Sequence, residues 1–182
     1  MDFSVPSADD LKPLVGAFSA FVTVCGTLGG LYAAWRRRKS KRALRGLAIA
    51  EQLERHAQAC ASIGDDNAAA LRSDDAYPIF TCALPPLPAA ALTGDADADR
   101  ALLPQYRDLV RHVVDVNQHV DQTAVQNNVE DSFRTLEGRA DETAVRAWRL
   151  ADDYRARFGL PAPQLGVRET RIRAAAFERA AA

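Results

Sequence analysis

The sequence predicts an all-α protein in which one N-terminal transmembrane helix carries a helical bundle. Three observations predict it. From Leu14 to Trp35 the chain reads LVGAFSAFVTVCGTLGGLYAAW and holds no charged residue. The run RRRKSKR, Arg36 to Arg42, follows directly. Beyond it, apolar residues recur at helical spacing, and no stretch alternates over strand length. The expected bundle has three helices, or four if the C-terminal segment joins it, with a long proline-rich loop. Its segments are a short extracytoplasmic tail 1–13, a transmembrane helix 14–35, a basic juxtamembrane collar 36–45, a bundle domain 46–161 and a tail helix 162–182.

The first element follows from length and flanks. Residues 14–35 at helical rise span roughly 33 Å, enough for a hydrocarbon core of about 30 Å. Tyr32 and Trp35 stand at its end, where amphipathic rings favour the membrane–water boundary. Upstream lie Asp2, Asp9 and Asp10 with one base, Lys12; downstream lie Arg36, Arg37, Arg38, Lys39, Lys41, Arg42 and Arg45. This bias places the N-terminus outside and the remainder in the cytoplasm. A cleaved signal peptide fits poorly, because the n-region lacks positive charge and the apolar run is too long. Ser7 to Asp10 has the form of a capping box, so the helix is expected to begin shortly before the bilayer. Gly26, Gly30 and Ala34 fall on one face at a spacing that lets two helix backbones approach in lipid, a route to a homodimer.

Formal net charge is −1, but it is segregated. The N-terminal tail carries −2, the collar +7 and the remainder −6. An acidic domain beside a basic collar leaves no large basic face, which argues against nucleic acid as a partner. The collar itself reads as a contact to anionic lipid headgroups.

After the collar, Ala43 to Ser62 reads as helix, with Leu44, Leu47, Ala50 or Glu51, Leu53, Ala57 and Cys60 near helical spacing, and Gly64 to Asn67 either interrupts it or lets it continue toward Leu71. Pro78, Pro85, Pro86 and Pro88 then punctuate a loop from about Ser73 to Gly94, where Tyr77, Ile79 and Phe80 could pack onto the helices. More than about twenty residues without regular structure is uncommon in a compact domain, so this loop is either functional or loose. The next helix runs from about Arg100 through Val129, with Tyr106, Leu109, Val110, Val113, Val116, Val120 and Ala124 inward and Val125 and Val129 extending the face. A third spans about Asp141 to Phe158, with Val145, Trp148, Ala151 and Tyr154 inward, ended by Gly159 and Pro161. The last segment, Val167 to Ala182, offers only Ile172 and Phe177 as large anchors and reads as a frayed tail helix. Together the helices are expected to form an antiparallel bundle.

Candidate sites are few. Asp95, Asp97 and Asp99 resemble the start of a calcium loop, but Arg100 replaces the required glycine and Tyr106 the bidentate glutamate. They read instead as an acidic helix N-terminus. His112 and His119, with Asp108 and Asp115, repeat D-x-x-x-H at a heptad, a spacing at which carboxylate and imidazole could share a metal. A dinuclear carboxylate bundle wants paired E-x-x-H motifs on two helices, and His56 is the sole further imidazole. A solvated polar face is the simpler reading, so no metal or cofactor is expected. Cys25, Cys60 and Cys82 are single and widely spaced, with no C-x-x-C, and Cys60 reads as a small buried packer. No G-x-S-x-G and no glycine-rich phosphate loop occurs, so catalysis has no sequence support.

HAQACASIGDDN (His56 to Asn67) and DDYRARFGLP (Asp152 to Pro161), placed after an N-terminal anchor and Arg-rich collar, resemble a loosely defined family of uncharacterised proteobacterial single-pass membrane proteins. There the first stretch reads Cys-Ala-Ser followed shortly by Asp-Asn, and the second Arg-Tyr/Phe-Gly-Leu-Pro. Gly64-Asp65-Asp66 departs by one extra residue. The resemblance implies a helical protein of the bacterial inner membrane and no particular activity. Two function classes follow from the sequence. One is a membrane-tethered interaction or scaffold module; the other is a membrane-associated metal protein or enzyme on the His112/His119 helix.

Overall fold

The structure, a computed structural model, describes the backbone of residues 8–73, 79–89, 92–126 and 128–181, and their side chains from Arg36 onward. Among the described residues there are four helices and no strand: α1 (Ala8–Leu71), α2 (Ala96–Gln126), α3 (Val129–Phe158) and α4 (Val167–Arg179). The chain divides into two compact units, Met1–Lys41 and Arg42–Ala182. The first is helical from Ala8 onward. The expected span 14–35 therefore has helical backbone, but its side chains lie outside the described residues, as does the Ser7 capping position. Among the described residues no helix is long and apolar enough to cross a membrane.

In the second unit α3 is the central element. Glu54 of α1 meets Arg155 of α3, Gly46 packs on Phe158 and Gly64 faces Glu137, so α1 and α3 run antiparallel. His112 of α2 meets Thr143, while Gln105 and Asp108 share a groove with Leu150 and Asp153, so α2 is antiparallel to α3 as well. Helices α1 and α2, consecutive in the chain, must therefore be parallel; the antiparallel packing expected from the sequence holds between α3 and each of them, and not between α1 and α2. Parallel neighbours need a connection that returns along the full length of the bundle.

The proline-rich segment supplies that return. Its described residues, 81–89 and 92–93, form an extended strap fixed at four points by side chains of the helices. Asn67 of α1 accepts from the Thr81 N–H at 2.8 Å and donates to its carbonyl at 3.1 Å. Asn117 of α2 does the same to Leu84, at 2.7 and 3.1 Å. The Pro88 carbonyl accepts from Tyr106 Oη at 2.6 Å and from Gln52 at 3.3 Å. Asp99 accepts from the N–H and hydroxyl of Thr93 at 2.9 and 2.7 Å and from the Gly94 N–H at 3.2 Å.

The spacing agrees with elementary geometry. Thr81 to Pro88 at the polyproline rise covers roughly 22 Å, the distance that Gln52 to Asn67 covers along a helix. Prolines hold the strap extended and remove N–H groups that no strand is there to accept. The amide side chains satisfy the groups that remain, and Leu84, Leu87 and Thr93 are buried beneath it. The segment is an ordered strap. Phe80 packs against Phe133 at 5.6 Å, whereas Ile79 is 90% exposed, contrary to expectation, and Tyr77 lies outside the described residues.

Helix α1 runs on past Ser62 to Leu71 and α2 begins at Ala96, a turn before Arg100, but the largest difference from expectation is at the α2–α3 junction. The helix expected to reach Val129 ends at Gln126, and α3 begins at Val129 rather than near Asp141. Asn128 is the reason: its Oδ1 accepts from the Asp131 N–H at 2.7 Å, with Glu130 and Asp131 filling the acidic first turn. Val125, expected to extend the apolar face, is 87% exposed, and Val129 is exposed too. The added turns of α3 bury Ser132, Leu136 and Ala140 at helical spacing. On α1 the close approach of Gly46 to Phe158 turns the inward line to Ile49, Ala50, Leu53, Ala57 and Cys60. Leu47 is half-buried and Leu44 is 62% exposed.

Helix α4 is docked, not frayed. Ile172 and Ala176 are buried against α3, and Phe177 stacks on Trp148 with ring centroids 6.1 Å apart. Arg173 lies over both rings and pairs with Asp152 at 2.6 Å. Arg179 grips Asp141 through two bonds of 2.6 and 2.8 Å. The bundle thus extends through residues expected to form a tail.

Candidate functional site

The collar comes first, because the sequence singles it out. Arg36, Arg37, Arg38, Lys39 and Lys41 are exposed on α1 within the first unit. Arg42 and Arg45 belong to the second unit, where they stand beside the start of α2. Arg42 lies 3.8 Å from Asp95, and Arg157 lies 3.9 Å from the same carboxylate. Asp95 caps α2, accepting from the N–H groups of Asp97 and Ala98. The Ala98 N–H in particular, with the two guanidinium groups, holds the Asp95 carboxyl below its ordinary range. The D-x-D-x-D run is therefore an acidic helix N-terminus, as expected: Asp95 caps, Asp99 ties the strap, and Asp97 faces Arg100 at 3.9 Å. Gly26, Gly30 and Ala34 fall among the side chains that are not described.

The histidines do not converge. His112 Nε2 sits 3.1 Å from Thr143 Oγ1, whose hydroxyl donates to the Arg139 carbonyl at 2.7 Å. With its proton committed, Thr143 oxygen accepts, so the imidazole carries its proton on Nε2. Burial, then the nearby Arg146 guanidinium, lowers the His112 pKa. His119 and Asp115 are exposed on the outer side of α2. Among the described residues no group of three His, Cys, Asp or Glu side chains could hold a metal ion.

His56 and Cys60 form a buried pair one turn apart on α1, Sγ to Nε2 3.6 Å. Burial drives the imidazole pKa down to about 4 and the thiol up to about 12. Both groups are neutral near pH 7, the reverse of the thiolate–imidazolium state that a cysteine nucleophile needs. Cys60 is a core packer, flanked by Ala57 and Ala61, and Cys82 is exposed on the strap.

Sequence reasoning missed a buried polar node with three hydrogen bonds. Arg155 grips Glu54 with Nε and Nη2 at 2.5 and 2.9 Å, and its Nη1 donates to the Pro161 carbonyl at 2.6 Å. Both side chains are nearly buried. Just beyond, Gly159 adopts φ +60°, its N–H bonds to Ala156 and that of Leu160 to Arg155. This is the Schellman closure, for which glycine is favoured because it has no Cβ. The stretch DDYRARFGLP thereby acquires a physical meaning. Tyr154 fills the core, Arg155 ties α3 to α1 and to the outgoing chain, and Gly159 stops the helix. Its signal in the sequence was the arginine on the inward row beside Tyr154, which needs an acid partner when buried. A groove of about 560 Å³ opens beside this node, lined by Gln58, Trp148 and Gln164 among others. Among the described residues, no buried side-chain nitrogen or oxygen lacks a partner.

Comparison of the chain with protein-family models, with curated proteins and with solved structures finds no match.

Proposed function

We propose that this chain is a membrane-anchored, non-catalytic helical interaction or scaffold protein of the bacterial inner membrane, with its N-terminus outside and its bundle in the cytoplasm. The observation that carries the reading is the uncharged stretch from Leu14 to Trp35 abutting seven basic residues between Arg36 and Arg45. The exposure of Arg36 to Lys41 supports their role at anionic headgroups, each worth about 1 kcal/mol near a charged surface. The resemblance of His56 to Asn67 and Asp152 to Pro161 to proteobacterial single-pass proteins adds the inner membrane. Gly26, Gly30 and Ala34 offer a face for pairing two copies in lipid.

Reporter fusions test the topology. A reporter active only in the periplasm should work when fused ahead of Met1 and fail when fused after Ala182. Moving Arg36 to Arg38 upstream of Leu11 should weaken or invert that preference. The opposite pattern in the unaltered chain, or its release from membranes by alkaline washing, would refute the anchor.

A further inference from the structure

One flank of α2 carries a second apolar row that the bundle covers only in part, with Leu103 and Val110 half-buried. The core row of α2 passes through Tyr106, Leu109 and Val113. Beside it stand Leu103, Val110 and Val114, at i, i+7 and i+11, with Arg107 filling the i+4 place. Such a row is what a further helix packs against. Val114 is 49% exposed, and across the groove Leu92 of the strap is 60% exposed. Between strap and helix lies a groove of about 500 Å³, walled by Ala89 and Leu92 on one side and by Leu103 and Val110 on the other. Its floor is Tyr106, whose hydroxyl is committed to Pro88, and its rim includes Arg107 and Arg111, the latter paired with Asp108.

Charge selects the occupant. Most arginines of α3 and α4 already have carboxylate partners. Arg107 forms no ion pair among the described residues, and it stands at the lip of an apolar groove. The complement of that arrangement is apolar side chains flanked by carboxylates. A second copy fits badly. Two copies paired in parallel along this row would set Arg107 against Arg107.

We propose that the groove between the strap and the Leu103–Val114 flank of α2 is the docking surface for an acidic amphipathic helix of a partner protein. The row spans about 16 Å, so it receives about three turns of that helix. Apolar contacts supply the affinity, and Arg107 selects the partner. The inference rests on the membrane-anchored interaction module proposed above and names the surface through which it works.

The test is photocrosslinking with the full chain in membranes of its native host, with a photoreactive amino acid at Val114 or at Leu92. The crosslinked peptide is sequenced, and the yield is compared for Arg107→Glu and for Arg171→Glu, an exposed site on α4. The expected product is a protein segment with apolar residues at i and i+4 flanked by Asp or Glu. Its yield should fall by about tenfold or more with Arg107→Glu and stay unchanged with Arg171→Glu. A product with a second copy, with lipid or with a basic segment would overturn the proposal, as would no product from either position or indifference to Arg107→Glu. Recovery of each chain in the membrane fraction reports the anchor separately. A chain that is membrane-bound yet yields no such crosslink refutes the docking surface alone.

Discussion

Replacing Arg155 by methionine isolates the node that joins α1, α3 and the outgoing chain. The guanidinium makes two bonds to Glu54 and one to the Pro161 carbonyl, and the side chains are only 10% and 14% exposed. Methionine fills similar volume but leaves Glu54 charged and unpaired against the core. Breaking a buried pair this way costs about 3–5 kcal/mol. The adjoining groove admits water to Glu54, and Pro161 is itself exposed, so the lower end, about 3 kcal/mol, is expected. For a chain of this size that corresponds to a loss of roughly 10 °C in Tm.

Removing both charges, as Glu54→Met with Arg155→Met, should restore stability to within about 1 kcal/mol of the parent, because no charge is then stranded. Thermal unfolding of the full chain in detergent micelles, followed by near-ultraviolet circular dichroism, reads both outcomes. A single variant melting within about 2 °C of the parent would show that the pair behaves as a solvated surface bridge. The account of DDYRARFGLP as a fastening would then fail.

Three further outcomes follow from the core and the strap. Trp148→Ala should destabilise the bundle by about 3–5 kcal/mol and release α4, since Phe177 and Arg173 both rest on that ring; unchanged protection of α4 amides from hydrogen exchange would contradict this. Asn117→Ala leaves the Leu84 N–H and carbonyl without partners and should cost about 2–3 kcal/mol, seen as faster exchange at Leu84 than at core helix amides; unaltered exchange would deny that Asn117 holds the strap. His56 is held near pKa 4 when folded against 6.5 in its ordinary state, so the unfolded chain binds the extra proton between these values, and stability falls as pH drops through that window. That component is about 3 kcal/mol, and urea unfolding of His56→Gln should show a pH dependence smaller by this amount; an identical dependence would refute the buried neutral imidazole.

Much of the fold was written in local pattern. Helical periodicity located Tyr106, Leu109, Val113, Val116 and Val120 on one face of α2, and Trp148, Ala151 and Tyr154 on α3, because burial selects residues at 3.6-residue spacing whatever the partner. Gly159 marked its helix end, since a left-handed residue is a local requirement. The cap at Asn128 was equally local and legible, but the valines on either side masked it as continuing helix.

The candidate site was legible in a different way. The sequence by itself determined the uncharged stretch and its basic collar, and from them the proposed anchor, because insertion depends on composition and flanking charge alone. Only the tertiary structure decided that α1 and α2 run parallel, that the proline-rich segment is the strap between them, and that α4 docks on Trp148. It also decided that Glu54 and Arg155, 101 residues apart, share one bond network, and that Leu103, Val110 and Arg107 line one groove with Leu92 of the strap. The reason is physical. A side-chain amide clamping a distant backbone, or an ion pair between two helices, is specified by where folded elements meet in space, and neighbouring residues carry no trace of that meeting.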